Sequence, residues 1–577
     1  MSGRNLHKNF LKGMGVLFFL LFFFPFTSFS AVITSAASGN WSAGATWVGG
    51  VPPIATDDVV INGGFTVTVD GVFSCNNLTV GNGAANATLQ ITSAANSLTI
   101  TADLLINAGN NGSIYTLDAG PGIINVNGTF STWGTNGTNN IQFSTGTITF
   151  APLVNLSSGA QFITFTAAGT INFNSGFTCN QSQANFITVA GCTVNFAGSY
   201  TQSGLKNKWN VASTAVFNCV GCSINNSSGV DLGHVIIFDN AVVSTAGAGK
   251  LNITGNLTLN VNSTFTTTKN IPGDKATAKS IDDVTLLSGS TFNLSGGPGL
   301  FIQSQSNWIN NGGTLNGGTY TVRFEGIGNS IGGTSSTTFP DLQFGNTLNN
   351  VNYTLNQNIT CSNLDFDADN SSRTLTHNGT NALTVTGNVT MNQPTQNAKT
   401  NLWDIAGGSS TISGNLIFAG TNNTVDRICN VNVGSGTLSL SGNVTWMTGQ
   451  GAPQEITTEV ISLGSGTVNF TNSLAMAQGS GTFNVTGSGT VNFNGAAAPC
   501  FNLNSTVAGN TINAVFSNSF GSVINFNNGF TNANTAVTLA DGSTAVFTGS
   551  GTITPTAAIT FGNVQINGDF MMDRWMI

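Results

Sequence analysis

A five-residue phrase returns along this chain at a fixed interval, and no other feature limits its fold so strongly. Gly146-Thr147-Ile148-Thr149-Phe150, Gly169-Thr170-Ile171-Asn172-Phe173 and Cys192-Thr193-Val194-Asn195-Phe196 place a Phe every 23 residues. Gly466-Thr467-Val468-Asn469-Phe470 and Gly489-Thr490-Val491-Asn492-Phe493 repeat it, again 23 apart, and Phe516 follows after another 23. Such a period marks a solenoid, in which each unit buries its apolar face only against its neighbours. A second phrase, Ser/Thr-Gly-Asn between apolar residues, recurs at Thr254-Gly255-Asn256, Thr386-Gly387-Asn388, Ser413-Gly414-Asn415 and Ser441-Gly442-Asn443. The last three are 27 and 28 apart, so turn length varies while the strands stay in step.

Within a phrase, apolar and polar residues alternate with period two, which is a strand and not a helix. The chain holds 72 Gly, a density that would weaken any helix by about 1 kcal/mol per occurrence, whereas Gly, Asn, Ser and Thr suit the turns between strands. A unit of this length holds two or three short strands and cannot close a core by itself. The expected fold is therefore all-β, a right-handed parallel β-helix with Val, Ile, Leu and Phe in the bore. Equivalent residues of successive coils would lie about 4.8 Å apart, and roughly 20 coils would make a rod of about 100 Å. Phe150, Phe173 and Phe196 are expected to form an internal column. A string of β-sandwiches is the alternative, and eight irregularly spaced Trp do not support it.

Only 6% of residues are charged, with 14 Lys+Arg against 22 Asp+Glu. Nucleic acid is excluded as a partner, because phosphate binding needs clustered Lys and Arg. Arg4, Lys8 and Lys12, the apolar run Val16 to Phe24 and the small residues Ser28 and Ser30 read as a secretory signal over 1–30. The run is shorter than the roughly 20 residues that span a bilayer, and no second one follows, so no transmembrane segment is expected in the mature chain. Without that segment 11 basic and 22 acidic residues remain, a net charge of -11. The expected location is the medium or the outer cell surface. Behind the signal the expected organisation is a cap module over 31–75, β-helix repeats over 76–268, a charged loop or break over 269–285, repeats over 286–570 and a non-repeat tail over 571–577.

A stack of coils has exposed ends that must be covered. Ser38-Gly39-Asn40-Trp41, Ala45-Thr46-Trp47-Val48-Gly49-Gly50-Val51-Pro52, Asp57-Asp58-Val59-Val60-Ile61 and Thr66-Val67-Thr68-Val69-Asp70-Gly71 form the richest unrepeated stretch and read as that cap. This succession resembles the opening module of large secreted, adhesin-like β-helix proteins of Bacteroidetes-type bacteria and is somewhat similar to the G8 module. The resemblance covers residues 36–71 and is stylistic beyond them. It implies export to the cell surface or medium. Many such proteins end in a β-sandwich sorting domain; the tail Met571 to Ile577 shows none, which reads as a truncated end.

Many β-helices are polysaccharide lyases or hydrolases, which need converging charge. Hydrolase-like phrases are absent, with Gly233-His234-Val235 only a fragment of one, and the mature histidines His234 and His377 lie far apart. The strongest acidic cluster is Asp365-Phe366-Asp367-Ala368-Asp369-Asn370, with Arg373 nearby. Extended, it puts three carboxylates on one side, and calcium is the natural cation for Asp365, Asp367 and Asp369. An EF-hand template fails, since Asn370 stands where Gly and Thr376 where Glu would be needed. A solvated acidic turn is the plain reading. Asp57-Asp58 reads as turn capping and Asp282-Asp283 as a solubilising loop. Cys219 and Cys222 form a C-x-x-C, read as a disulfide or buried thiols, with a metal or redox pair as the alternative. Trp133, Trp209, Trp308, Trp403 and Trp446 could offer faces to sugar rings, with core packing as the plainer reading.

These residues point to a non-catalytic, adhesin-like or matrix-forming protein that presents a long polar surface to extracellular polysaccharide or other surface molecules. No cofactor other than calcium is expected. A carbohydrate-active enzyme and a carbohydrate-binding module are the alternatives. Three or more carboxylates converging with a Lys or Arg in one groove would favour the enzyme, and two coplanar exposed aromatics the module.

Overall fold

The computed structural model describes residues 30–572 apart from short segments between strands, the longest being 268–280, 447–458 and 504–514, and it describes no side chain within 199–255. Among the described residues the regular structure is strands and one short 3-10 turn, Gly44–Thr46. All strand pairings there are parallel, and the antiparallel exception is an isolated bridge from Ser35 to Trp47. The protein is a parallel β-helix. It forms two compact units, divided between Pro152 and Leu153. No helix among the described residues is long and apolar enough to cross a membrane.

In the first unit each coil gives one strand to each of three sheets. Thr66–Val69, Ala87–Ile91 and Ile114–Asp118 stack in one; Asp58–Ile61, Leu78–Val80 and Leu104–Asn107 stack in another. In the third, Cys75, Ile100, Val126 and Phe150 fall in register as one buried column. Phe150 is thus a bore residue, as its alternation requires. Corners are tied by side chains that reach one coil along: an Asp58 oxygen accepts from the backbone N–H of Asn77 at 3.3 Å, Asn77 from Asp103 at 2.8 Å and Asp103 from Thr129 at 2.8 Å.

The opening described residues give this stack its first strands, Val32–Thr34 pairing with Asp58 to Val60. Trp41 follows Gly39–Asn40, which pairs with Val67 and Thr68, and is fully buried. Its ring packs edge-on against Trp47 at 5.2 Å and stacks on Phe73 at 6.1 Å, while the Trp47 Nε1–H donates to the Trp41 carbonyl at 2.8 Å. Gly49 and Gly50, at φ 87° and 71°, turn the chain in a conformation that side chains resist.

In the second unit a ten-stranded sheet runs from Thr337–Phe339 to Asn563–Ile566 and a seven-stranded one from Phe301–Ser304 to Val444–Thr445. A third sheet carries Val351–Leu355, Arg373–His377, Lys399–Asp404 and Arg427–Gly434. Phenylalanines stack down the bore. Phe173 lies on Phe196 at 5.3 Å, and in the ten-stranded sheet Phe470, Phe493, Phe526 and Phe547 stack at 5.3, 5.3 and 5.1 Å with rings within 17° of parallel. Each such pair adds about 0.5–1.5 kcal/mol to its burial.

Phe516 does not continue that column. It pairs with Phe483 in the third sheet, and Phe526 takes the place above Phe493. The cause is a coil that lengthens to 33 residues between Thr490 and Val523, whereas the coil from Thr544 to Asn563 takes 19. Turns absorb such differences because only strand register is held by hydrogen bonds and packing.

The Ser/Thr-Gly-Asn phrase is a corner. Asn363 accepts from the N–H of Asn388 at 2.9 Å, Asn388 from Asn415 at 2.8 Å and Asn415 from Asn443 at 2.8 Å. A parallel ladder runs from Asn256 through Asp283 and Asn307 to Ser330 at 3.2, 2.8 and 2.9 Å. Val284–Leu286 pairs with strands on both sides, so stacking runs through Asp283, while 268–280 lie outside the described residues.

Candidate functional site

For a chain so poor in charge, six ionisable side chains gather at one corner of the second unit. Arg323 sits on Thr321–Phe324 at the position facing away from the bore, yet it is only 5% exposed. Its Nε is 3.0 Å from a Glu325 oxygen and donates to the Gly345 carbonyl at 3.0 Å. Its Nη2 reaches Asp367 at 3.0 Å and Asp369 at 3.1 Å, two coils along. Arg373 is fully buried; its Nη1 donates to the carbonyls of Asp369, at 3.0 Å, and Ser371.

The acidic trio is therefore brought together in part. Asp367 and Asp369 face the Arg323 guanidinium. Asp365 instead accepts from Gln343 at 2.8 Å and Asn392 at 2.6 Å. Burial pushes its carboxyl above the ordinary range against the Gln343 amide, and the Asp367 charge adds to the rise, opposed by Asn392 and Arg323. Burial likewise pulls the Arg373 guanidinium down, opposed by Asp369 and Asp367. Among the described residues no group of three or more His, Cys, Asp or Glu is arranged to hold a metal ion.

A second polar group lies inside the bore. His377 Nδ1 is 2.9 Å from the Asn381 carbonyl, and its Nε2 accepts from Trp403 Nε1 at 3.2 Å and faces the Ser410 hydroxyl at 3.4 Å. The ring is 2% exposed. It serves the core, whereas Asp57 caps a turn, its carboxylate accepting from the N–H groups of Ala31 at 3.2 Å and Ile54 at 2.9 Å. Trp308, Trp403 and Trp446 are also buried and offer no face to a sugar. The side chains of Trp133, Trp209, Cys219, Cys222 and His234 lie outside the described residues, although the backbone places Cys219 opposite Phe196 and His234 opposite Val216. Cys75, Cys361 and Cys429 are buried thiols outside any disulfide, and burial pushes those of Cys75 and Cys361 up to about 12.

The outer surface of the ten-stranded sheet is regular. Ser409, Thr437, Thr467 and Thr490 fall in register as one outward column, and Thr384, Thr411, Ser439, Asn469, Asn492 and Asn525 as another. Neither column carries a charge. Asn469 donates to Ser439 at 3.2 Å, Asn492 to Asn469 at 2.7 Å and Asn525 to Asn492 at 2.5 Å. This ladder fixes the amides in one orientation. A repeated phrase, Thr-Val-Asn-Phe, encodes it: Val and Phe enter the bore and Thr and Asn line the outside.

No protein-family model, curated protein or solved structure matches the chain.

Proposed function

We propose that this chain is an exported, adhesin-like scaffold whose neutral polar face contacts extracellular polysaccharide. The observation that carries the reading is the pair of uncharged outward columns, held in register over successive coils, with the Asn469-Asn492-Asn525 ladder presetting donors and acceptors. Side chains already fixed lose little entropy on binding, and many weak hydrogen bonds along one face add up. The leader-like segment 1–30 and the resemblance of residues 36–71 to secreted surface proteins support an extracellular address.

The test is retention of the chain without residues 1–30 on insoluble neutral and anionic polysaccharides at low and high salt. Retention on a neutral polymer, insensitive to salt, is expected. Thr437→Lys with Thr490→Lys, two coils apart, should weaken it roughly tenfold by burying unpaired charge at the contact. Failure to be retained on any polymer, or retention unaffected by both substitutions, would defeat the proposal.

The gathering of Glu325, Asp365, Asp367 and Asp369 around two arginines favours one second reading, a carbohydrate-active enzyme. Soluble sugar released from a polysaccharide, with or without calcium, and abolished by Asp367→Ala, would establish it in place of the scaffold.

A further inference from the structure

We propose that the bore of the second unit holds a sequestered water molecule between Arg373 and Asn401. The two residues are register partners on neighbouring coils, about 4.8 Å apart along the stack, and both side chains are fully buried. Each is half satisfied. Arg373 spends Nη1 on the carbonyls of Asp369 and Ser371, while its Nε and Nη2 make no hydrogen bond; Nη2 lies 3.6 Å from an Asp369 oxygen. Asn401 spends its amide nitrogen on the carbonyls of Asp367, at 3.2 Å, and Asn392, while its Oδ1 has no partner.

Unmatched donors at one register position thus have an unmatched acceptor at the same position on the next coil, and no direct bond joins them. A water needs two to four polar partners, and this pair offers two N–H groups and one carbonyl oxygen. The surrounding charges exclude other occupants. The guanidinium repels a metal cation, and the carboxylates of Asp367 and Asp369 repel an anion. The column is closed on either side by Val351 and by Cys429, whose Sγ donates to the Met391 carbonyl at 3.6 Å. The water accepts from Arg373 and donates to Asn401, and it links the two coils within this column. Leaving three buried polar atoms unpaired costs more than immobilising one solvent molecule.

A high-resolution crystal structure of the whole chain tests this. The expected result is a single solvent oxygen within about 2.7–3.2 Å of Arg373 Nε or Nη2 and of Asn401 Oδ1. Empty density there, or a direct Arg373–Asn401 hydrogen bond, would overturn it. In solution, oxygen-17 relaxation dispersion counts long-lived internal waters, and Asn401→Leu should lower that count by one. An unchanged count in the folded variant would also overturn the proposal; if the variant fails to fold, the wild-type density decides.

Discussion

At the scale of single residues, both ring nitrogens of the buried His377 are answered. His377 carries its proton on Nδ1, because the group it meets there is the Asn381 carbonyl, and Nε2 accepts from the Trp403 indole. A second proton on Nε2 would confront that N–H. Burial lowers the affinity of His377 for it, opposed by the Asn381 bond and the Asp404 charge. The folded chain therefore binds this proton less readily than the unfolded chain, so stability rises with pH through this window. The contribution is full above the ordinary value of 6.5 and is lost as pH falls below it. Denaturant midpoints measured between about pH 5 and 8 should fall on the acid side, and His377→Gln should flatten that slope; an equal slope in both proteins would refute the assignment. Asp365, held above the ordinary carboxylate range, has the opposite sign at lower pH, its contribution present in acid and lost as pH rises.

Strand parity made part of this legible in advance. Arg373, Leu375 and His377 share one parity in Arg373–His377, and Leu375 belongs to the core, so both polar residues had to point inward. The partners were not legible. Arg373 is answered by turn carbonyls, and Arg323, outward by parity, is buried under carboxylates 44 and 46 residues away; no local pattern encodes either.

At the scale of elements, corners are as specific as strands. A Cβ on Gly442 would lie 2.1 Å from the Gly414 carbonyl oxygen, and one on Gly414 would lie 2.4 Å from that of Gly387, so the glycines of the Ser/Thr-Gly-Asn phrase stack because backbone approaches backbone. On Gly407 a Cβ would meet nothing nearer than 3.4 Å. Gly442→Ala should destabilise the protein by about 1–3 kcal/mol, and Gly407→Ala should change it by less than about 0.5 kcal/mol, measured as shifts in denaturation midpoint. Equal effects would contradict the stacked corner. The repeated phrases revealed strand type, inward face and corner because each is local and periodic. They did not reveal that Phe516 leaves the column, since a longer turn shifts the count of residues without shifting the register that hydrogen bonds enforce.

At the scale of the whole molecule, the proposed role rests on stacking, because the outward Thr and Asn columns exist as a surface only if successive coils stay in register. Nitroxide labels on unnatural amino acids at 382 and 544, which leave the native cysteines intact, measure this directly. Six register steps connect these positions through 409, 437, 467, 490 and 523. A pulsed dipolar measurement should give one narrow distribution near 29 Å, about 4.8 Å per step, although 162 residues separate the labels. A broad distribution, or a separation that does not shorten by about 10 Å when the first label is moved two steps to 437, would contradict the stacked-coil account.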